Sequence, residues 1–160
     1  MLNKNSKTCL FLPGVALATY LMLAGFALAQ TAEPVWPRLT PKLQNLLQKE
    51  MLSIHKASQE ILTAMIEGDD ARVAELAQQI HDSFILRKSM TPKDKADLVS
   101  AVLADFVKRD KEFHEISAEL AKAARGKDRE RQHKIFTRMI EACSACHARY
   151  ATDRFPYFPE

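Results

Sequence analysis

The sequence predicts an all-α protein, an antiparallel up-down-up-down four-helix bundle, and three observations carry that reading. Apolar residues recur at spacings of three and four along most of the chain. No segment keeps a period-two alternation, and no Asn-Gly or Asp-Gly pair marks a hairpin. Start and stop signals cut the chain into four helical segments joined by short loops, which makes consecutive helices antiparallel neighbours.

The N-terminus reads as a processing signal rather than as part of the fold. Lys4 and Lys7 form a basic region, an apolar run extends from Cys9 to about Leu28, and Ala27-Leu28-Ala29 has small residues where a peptidase needs them. Residues 1–29 are therefore expected to be a signal peptide cleaved after Ala29, with the periplasm as destination. A retained transmembrane anchor is the competing reading, because the apolar run is nearly long enough to span a bilayer. After cleavage no membrane association is expected. The remaining 131 residues suffice for one compact domain.

Residues 30–39 have no period and hold Pro34 and Pro37 around Trp36, an extended lead-in to a domain over residues 40–160. Thr40-Pro41 supplies an N-cap and a first-turn proline. Leu47, Met51, Ile54, Ser58, Ile61 and Met65 then mark one face of a long first helix that stops at Gly68. Asp69 and Asp70 favour a second helix start. Its stripe is Val73, Ala77, Ile80 and Phe84, ending around Arg87-Lys88. Thr91-Pro92 repeats the start signal, and the third segment runs to Gly126 with Val99, Val102, Phe106, Phe113, Ser117, Leu120 and Ala124 inward. It is long for a bundle helix, so a break near Ala104-Asp105 is expected. The fourth helix starts near Asp128 and carries Ile135, Met139, Cys143, Cys146 and Tyr150. The proline-rich tail from Arg154 to Pro159 is not helical and is expected to fold back over the bundle.

Charge excludes one class of partner. The processed chain keeps 21 basic against 20 acidic residues, interspersed, with no basic stripe to track phosphates, so no nucleic-acid partner is expected.

Cysteine usage is the sharper signal. Cys9 leaves with the signal peptide, and the processed chain retains Cys143 and Cys146. Two thiols three residues apart close too small a loop to staple a fold, so their use is chemical. Cys143-Ser144-Ala145-Cys146-His147 is the attachment signature of c-type haem. Two thiols add to neighbouring vinyl groups as thioethers, and the following imidazole becomes the proximal iron ligand. On a helix these residues lie at i, i+3 and i+4 and share a face with Met139 and Ile135, which are expected to line the haem edge. The competing readings are weaker. A redox dithiol gains its low pKa at a helix N-terminus, whereas this pair falls near a helix end. A structural zinc site needs about four ligands, and three residues cluster here.

A signal peptide, four helices and a single Cys-x-x-Cys-His near the C-terminus resemble the cytochrome c′ class of bundle cytochromes, over roughly Thr40 to Tyr150. The stretches Ile80 to Leu86 and Arg154-Phe155-Pro156 also look similar to small bacterial cytochromes related to that class. The resemblance implies one covalently attached haem c. Because His147 sits near the C-terminal end of helix four and helix one is antiparallel to it, the haem is expected to face the first half of helix one. Met51 stands about ten residues into that helix, where related cytochromes place their distal residue, with His55 one turn on. Met51 is thus a candidate distal iron ligand as well as a packing residue, and Leu47, Ile54 and Met139 are candidate pocket residues. High-spin members carry an Arg one turn before the distal residue. Leu47 stands there, so that role does not transfer. Pairing through helices one and two is implied as well, with Leu52 and Leu62 at the seam of a homodimer.

Two functions follow as expectations. One is single-electron transfer to redox partner proteins, with His147 and Met51 on the iron. The other is a five-coordinate gas-binding protein, with Leu47, Met51, Ile54 and Ser58 walling the pocket. An enzyme is not expected, because peroxidase chemistry wants a distal acid–base and His55 is the one candidate. His81 and His114 read as structural and His133 as solvated. Lys49, Arg149 and Arg154 are candidate partners for the haem propionates.

Overall fold

The computed structural model describes residues 32–83 and 85–158. Residues 1–29, expected to be a signal peptide, and Phe84 of the expected second stripe lie outside them. Among the described residues every regular element is helical, and no helix is long and apolar enough to cross a membrane.

Helix α1 spans Pro41–Glu67. The Thr40 hydroxyl accepts the Leu43 N–H at 3.3 Å and Pro41 fills the first turn, where its missing N–H is harmless. Gly68 ends the helix at φ 76°, a left-handed conformation that favours glycine. Asp69 then caps α2, Asp70–His81, through the Arg72 N–H. Long apolar stripes close the helices on one another: α1 packs on α2, α2 on the helix Ala104–Arg125 (α5), and α5 on the last helix, Arg129–Tyr150 (α6).

Two differences from the expected segmentation appear. The second helix stops at His81 rather than near Arg87-Lys88, Ser83 takes φ 58°, and a separate short turn, α3, covers Leu86–Ser89. The cause is tertiary. Glu50, buried on α1, accepts hydrogen bonds from the Ser83 hydroxyl at 2.9 Å and from the Ile85 and Leu86 N–H groups at 2.6 and 3.2 Å. A buried acceptor thus draws the chain out of helix and supplies the start of α3 with the partner its first N–H groups need. The third segment does break, at Val102-Leu103, into α4 (Pro92–Ala101) and α5 (Ala104–Arg125). The break resets the helical phase, so Val99, expected inward, is 67% exposed, while Val102 is buried. Thr91 and Asp94 form a capping box at the start of α4. Helix α6, Arg129–Tyr150, begins on Asp128, which accepts the Arg131 N–H at 3.0 Å.

The core has two parts. The larger gathers Ile54, Ala57 and Ile61 of α1 with Val73, Ala77 and Ile80 of α2, Leu120 and Ala124 of α5, and Ile135 and Met139 of α6. Full burial of each large aliphatic side chain contributes about 1.5–3 kcal/mol. The smaller, at the other end of α1 and α6, joins Val35, Leu39, Leu43, Val102 and Tyr150. It is built by the lead-in, where a 3-10 turn covers Trp36–Arg38. The Glu33 and Val35 N–H groups donate to the Arg149 and Tyr150 carbonyls at 2.7 and 2.9 Å. These are last-turn carbonyls of α6 that lack intrahelical donors. The lead-in therefore ties down the end of the helix that carries the cysteines.

Candidate functional site

Between these two parts of the core lies an apolar cavity of about 540 Å³. Helix α1 contributes Leu47, Gln48, Met51, Leu52 and His55, and α5 contributes Phe106 and Asp110. Cys146, His147 and Tyr150 come from α6, Val35 and Trp36 from the lead-in, and Ala151, Arg154 and Phe155 from the tail. Its volume is in the range of small-molecule and cofactor sites.

The proximal wall follows from the helix. Cys143, Cys146 and His147, spaced i, i+3 and i+4, are all half-buried near the end of α6. Burial alone holds the His147 imidazole below its usual pKa, which favours the neutral ring with a free lone pair. Burial raises the Cys143 thiol. It lifts Cys146 further, to about 11, with the Asp110 carboxylate and Cys143 adding to the effect. Such thiols stay protonated near neutrality, the reverse of an activated redox dithiol. Among the described residues no group of three or more His, Cys, Asp or Glu is placed to hold a metal ion, which leaves the zinc reading without a ligand set.

A polar cluster braces this wall. Tyr150 donates its hydroxyl to Asp105 at 2.7 Å, and Arg109 and Arg149 meet the same carboxylate at 2.9 and 3.3 Å. The Tyr150 hydroxyl and Arg109 hold the Asp105 carboxyl below its usual range. Burial, then Asp105, pushes the Tyr150 phenol up to about 12. Phe106 meets the Tyr150 ring edge-on, centroids 5.2 Å apart. Arg149 also reaches Glu33, at 3.4 Å, and its Nε is buried with no hydrogen-bond partner.

Of the residues expected on the pocket wall, Leu47 and Met51 line the cavity. Ile54, Met139 and Ile135 are buried in the larger core instead. Met139 shares a helical face with Cys146, but seven residues put it about 10 Å further along the axis. There the helices touch directly. Ile54, three residues past Met51, is rotated toward Ala57 and Ile61. Ser58 is likewise not on the cavity wall, whereas His55, exposed to solvent, is.

The other histidines have structural partners or face solvent. His81 Nδ1 donates to the His114 carbonyl at 3.0 Å and His114 Nδ1 to the Ile80 carbonyl at 2.7 Å, clasping α2 to α5. His133 is exposed. Among the cations, Lys49 is exposed and away from the cavity, Arg149 is engaged as described, and Arg154 lines it. Sequence reasoning missed the wall made by Trp36, Phe106 and Phe155, and the clamp at Glu50. Glu50, a charged residue three positions after Leu47 and four before Ile54 and so on their apolar face, is the one local sign of that clamp.

A helical chain whose last helix carries two half-buried thiols and an imidazole, with Cys146 and His147 on the wall of an apolar cavity and Cys143 one turn before them, has the attributes of a helical c-type cytochrome. The chain belongs to the cytochrome c′ family: a model of that family, described as Cytochrome C', matches residues 45–151. Neither a curated protein nor a solved structure matches it. The cofactor is that of the family, covalently attached haem c with its iron. The donor set fits the group, with two thiols for thioethers, one nitrogen ligand and apolar walls for the macrocycle.

Proposed function

We propose that the chain is an exported periplasmic carrier of single electrons, an up-down-up-down bundle with its haem near the C-terminal end of the fourth long helix. Cys143 and Cys146 are its thioether residues, His147 the proximal ligand and Met51 the distal one. The observation that carries this reading is the shared cavity, with His147 on one wall and Met51 on the α1 wall. Haem iron supplies the one-electron couple, and a Met/His pair of ligands raises its potential. Leu47, Val35 and Phe106 exclude water, which further disfavours the more highly charged state. The Asp105 cluster and the backbone ties to Glu33 and Val35 hold the last turn of α6, and His147 with it.

Exported location is supported by the basic and apolar N-terminus with Ala27-Leu28-Ala29. Redox partner proteins dock where the cavity opens, and neither nucleic acid nor membrane is a partner after cleavage. Exposed Leu52, Leu62 and Ile66 on α1 support a homodimer through α1 and α2. Leu62→Glu is expected to turn a dimer into a monomer in sedimentation, and an unchanged mass would remove that seam.

The test of the electron-transfer reading is the absorption spectrum of the purified protein, oxidised and reduced, with and without carbon monoxide. A Met-to-iron band in the oxidised form, lost in Met51→Ala, is expected. A ferrous protein that takes up carbon monoxide at once, with no such band, favours the second reading, a five-coordinate gas binder. The aliphatic α1 wall of Leu47 and Leu52 supports that alternative, because it admits small uncharged ligands. No enzymatic role is proposed. Peroxide turnover abolished by His55→Ala would overturn that.

A further inference from the structure

The tail makes a contact that neither the attachment motif nor the matched segment contains. Phe155 lies flat against His147, ring centroids 4.4 Å apart and planes within 8°. The next residue back, Arg154, sits over the Trp36 ring at 4.1 Å. Both tail residues spring from one turn, since the Arg154 and Phe155 N–H groups donate to the Ala151 carbonyl at 2.9 Å. Trp36 is itself anchored, because the Gln44 side chain on α1 donates to its carbonyl at 2.9 Å. The tail is thereby pinned to the lead-in on one side and to the imidazole on the other. Residues 152–158 and the lead-in both fall outside residues 45–151, so the matched segment alone does not contain this clasp.

We propose that Phe155 is a positioning residue for His147. The side chain of a histidine on a helix retains freedom about its outer torsion, which has broad wells. A ring stacked on one face removes that freedom and selects one imidazole plane. In a haem protein that plane, relative to the porphyrin, sets the asymmetry of the iron's electronic environment. Phe155 thus acts on the iron through His147 without touching it, and Arg154 on Trp36 keeps Phe155 in place through a cation–π contact. This inference rests on His147 being the proximal ligand.

The experiment is proton NMR of the ferric, haem-loaded full chain, in which the haem-methyl shifts report the orientation of the axial imidazole plane. Phe155→Leu is expected to change the order and spread of the haem-methyl resonances, whereas Phe155→Tyr, which keeps the stacked ring, leaves the wild-type pattern. A Phe155→Leu spectrum identical to wild type overturns the proposal, as does an equal change in both variants. Should Phe155→Leu fail to accumulate, the double variant Trp36→Leu/Arg154→Ala keeps the ring but frees the tail. It must then alter the same resonances, and an unaltered pattern overturns the proposal. A second readout needs no haem. In the haem-free chain the His147 ring protons are shielded by Phe155 and are expected to move downfield in Phe155→Leu, and no movement contradicts the contact. Wild-type protein lacking thioether-bound haem would instead overturn the functional reading, while the haem-free readout still decides this one.

Discussion

Truncating Glu50 tests how the α1 wall of the cavity is held. Its side chain is 1% exposed and accepts from the Ser83 hydroxyl and the Ile85 and Leu86 N–H groups at 2.9, 2.6 and 3.2 Å. Glu50→Ala strands these donors, and each unpaired buried donor costs about 1–3 kcal/mol. Relaxation of the short loop and entry of water recover part of that, so the expected loss is about 3–5 kcal/mol. Glu50→Gln keeps one accepting oxygen but turns an NH₂ group toward donors, so an intermediate loss of about 2 kcal/mol is expected. Equilibrium urea unfolding of the wild type and both variants gives the energies. Amide hydrogen exchange gives the location, since Ile85 and Leu86 lose protection in the alanine variant. A Glu50→Ala protein within about 0.5 kcal/mol of wild type, a change typical of exposed positions, would refute the clamp.

Three further outcomes are expected. Met139→Ala, 1% exposed in the larger core, costs about 2–5 kcal/mol in urea unfolding. It leaves the visible spectrum unchanged, whereas Leu47→Ala on the cavity wall alters the spectrum. The Asp94 carboxyl is pulled from its usual 3.8 to about 2, first by the Lys42 ammonium at 2.5 Å and then by the Thr91 hydroxyl and N–H. Its folded value is depressed, so its stabilisation is present above pH 3.8 and is lost as pH falls through about 2. Melting temperatures followed against pH should therefore fall across that window in wild type and less in Asp94→Asn. Tyr150→Phe removes the 2.7 Å hydrogen bond to Asp105 and is expected to cost about 1.5 kcal/mol in urea unfolding, because Arg109 and Arg149 still hold the carboxylate.

What the sequence reveals follows the range of the force involved. Thr40-Pro41, Gly68 and Thr91-Pro92 mark helix ends because capping is settled within four residues, and each cap stands where those residues predict. The thiol and imidazole face is legible for the same reason, since i, i+3 and i+4 fix it on any helix. The end of α2 is not legible. The apolar stripe continues past His81, and the chain leaves the helix because of Glu50, more than thirty residues earlier. Depth is not legible either. Met51 and Ile54 belong to one stripe, yet Met51 packs against the larger core and also reaches the cavity wall, whereas Ile54 is buried in that core away from the cavity. Contacts of the tail depend on where two chain ends meet, so no local pattern predicts Phe155 against His147.

Cys143 and Cys146 are expected to carry haem c, with His147 as its proximal ligand. Intact mass spectrometry under denaturing conditions, read with the pyridine haemochrome spectrum, tests it most directly on protein made where c-type haem is attached. The expected result is a processed chain heavier by one haem, with the spectrum of two thioethers, and a Cys143→Ser/Cys146→Ser chain with no retained haem. A wild-type chain at its haem-free mass, with Cys143 and Cys146 still open to alkylation, would contradict it.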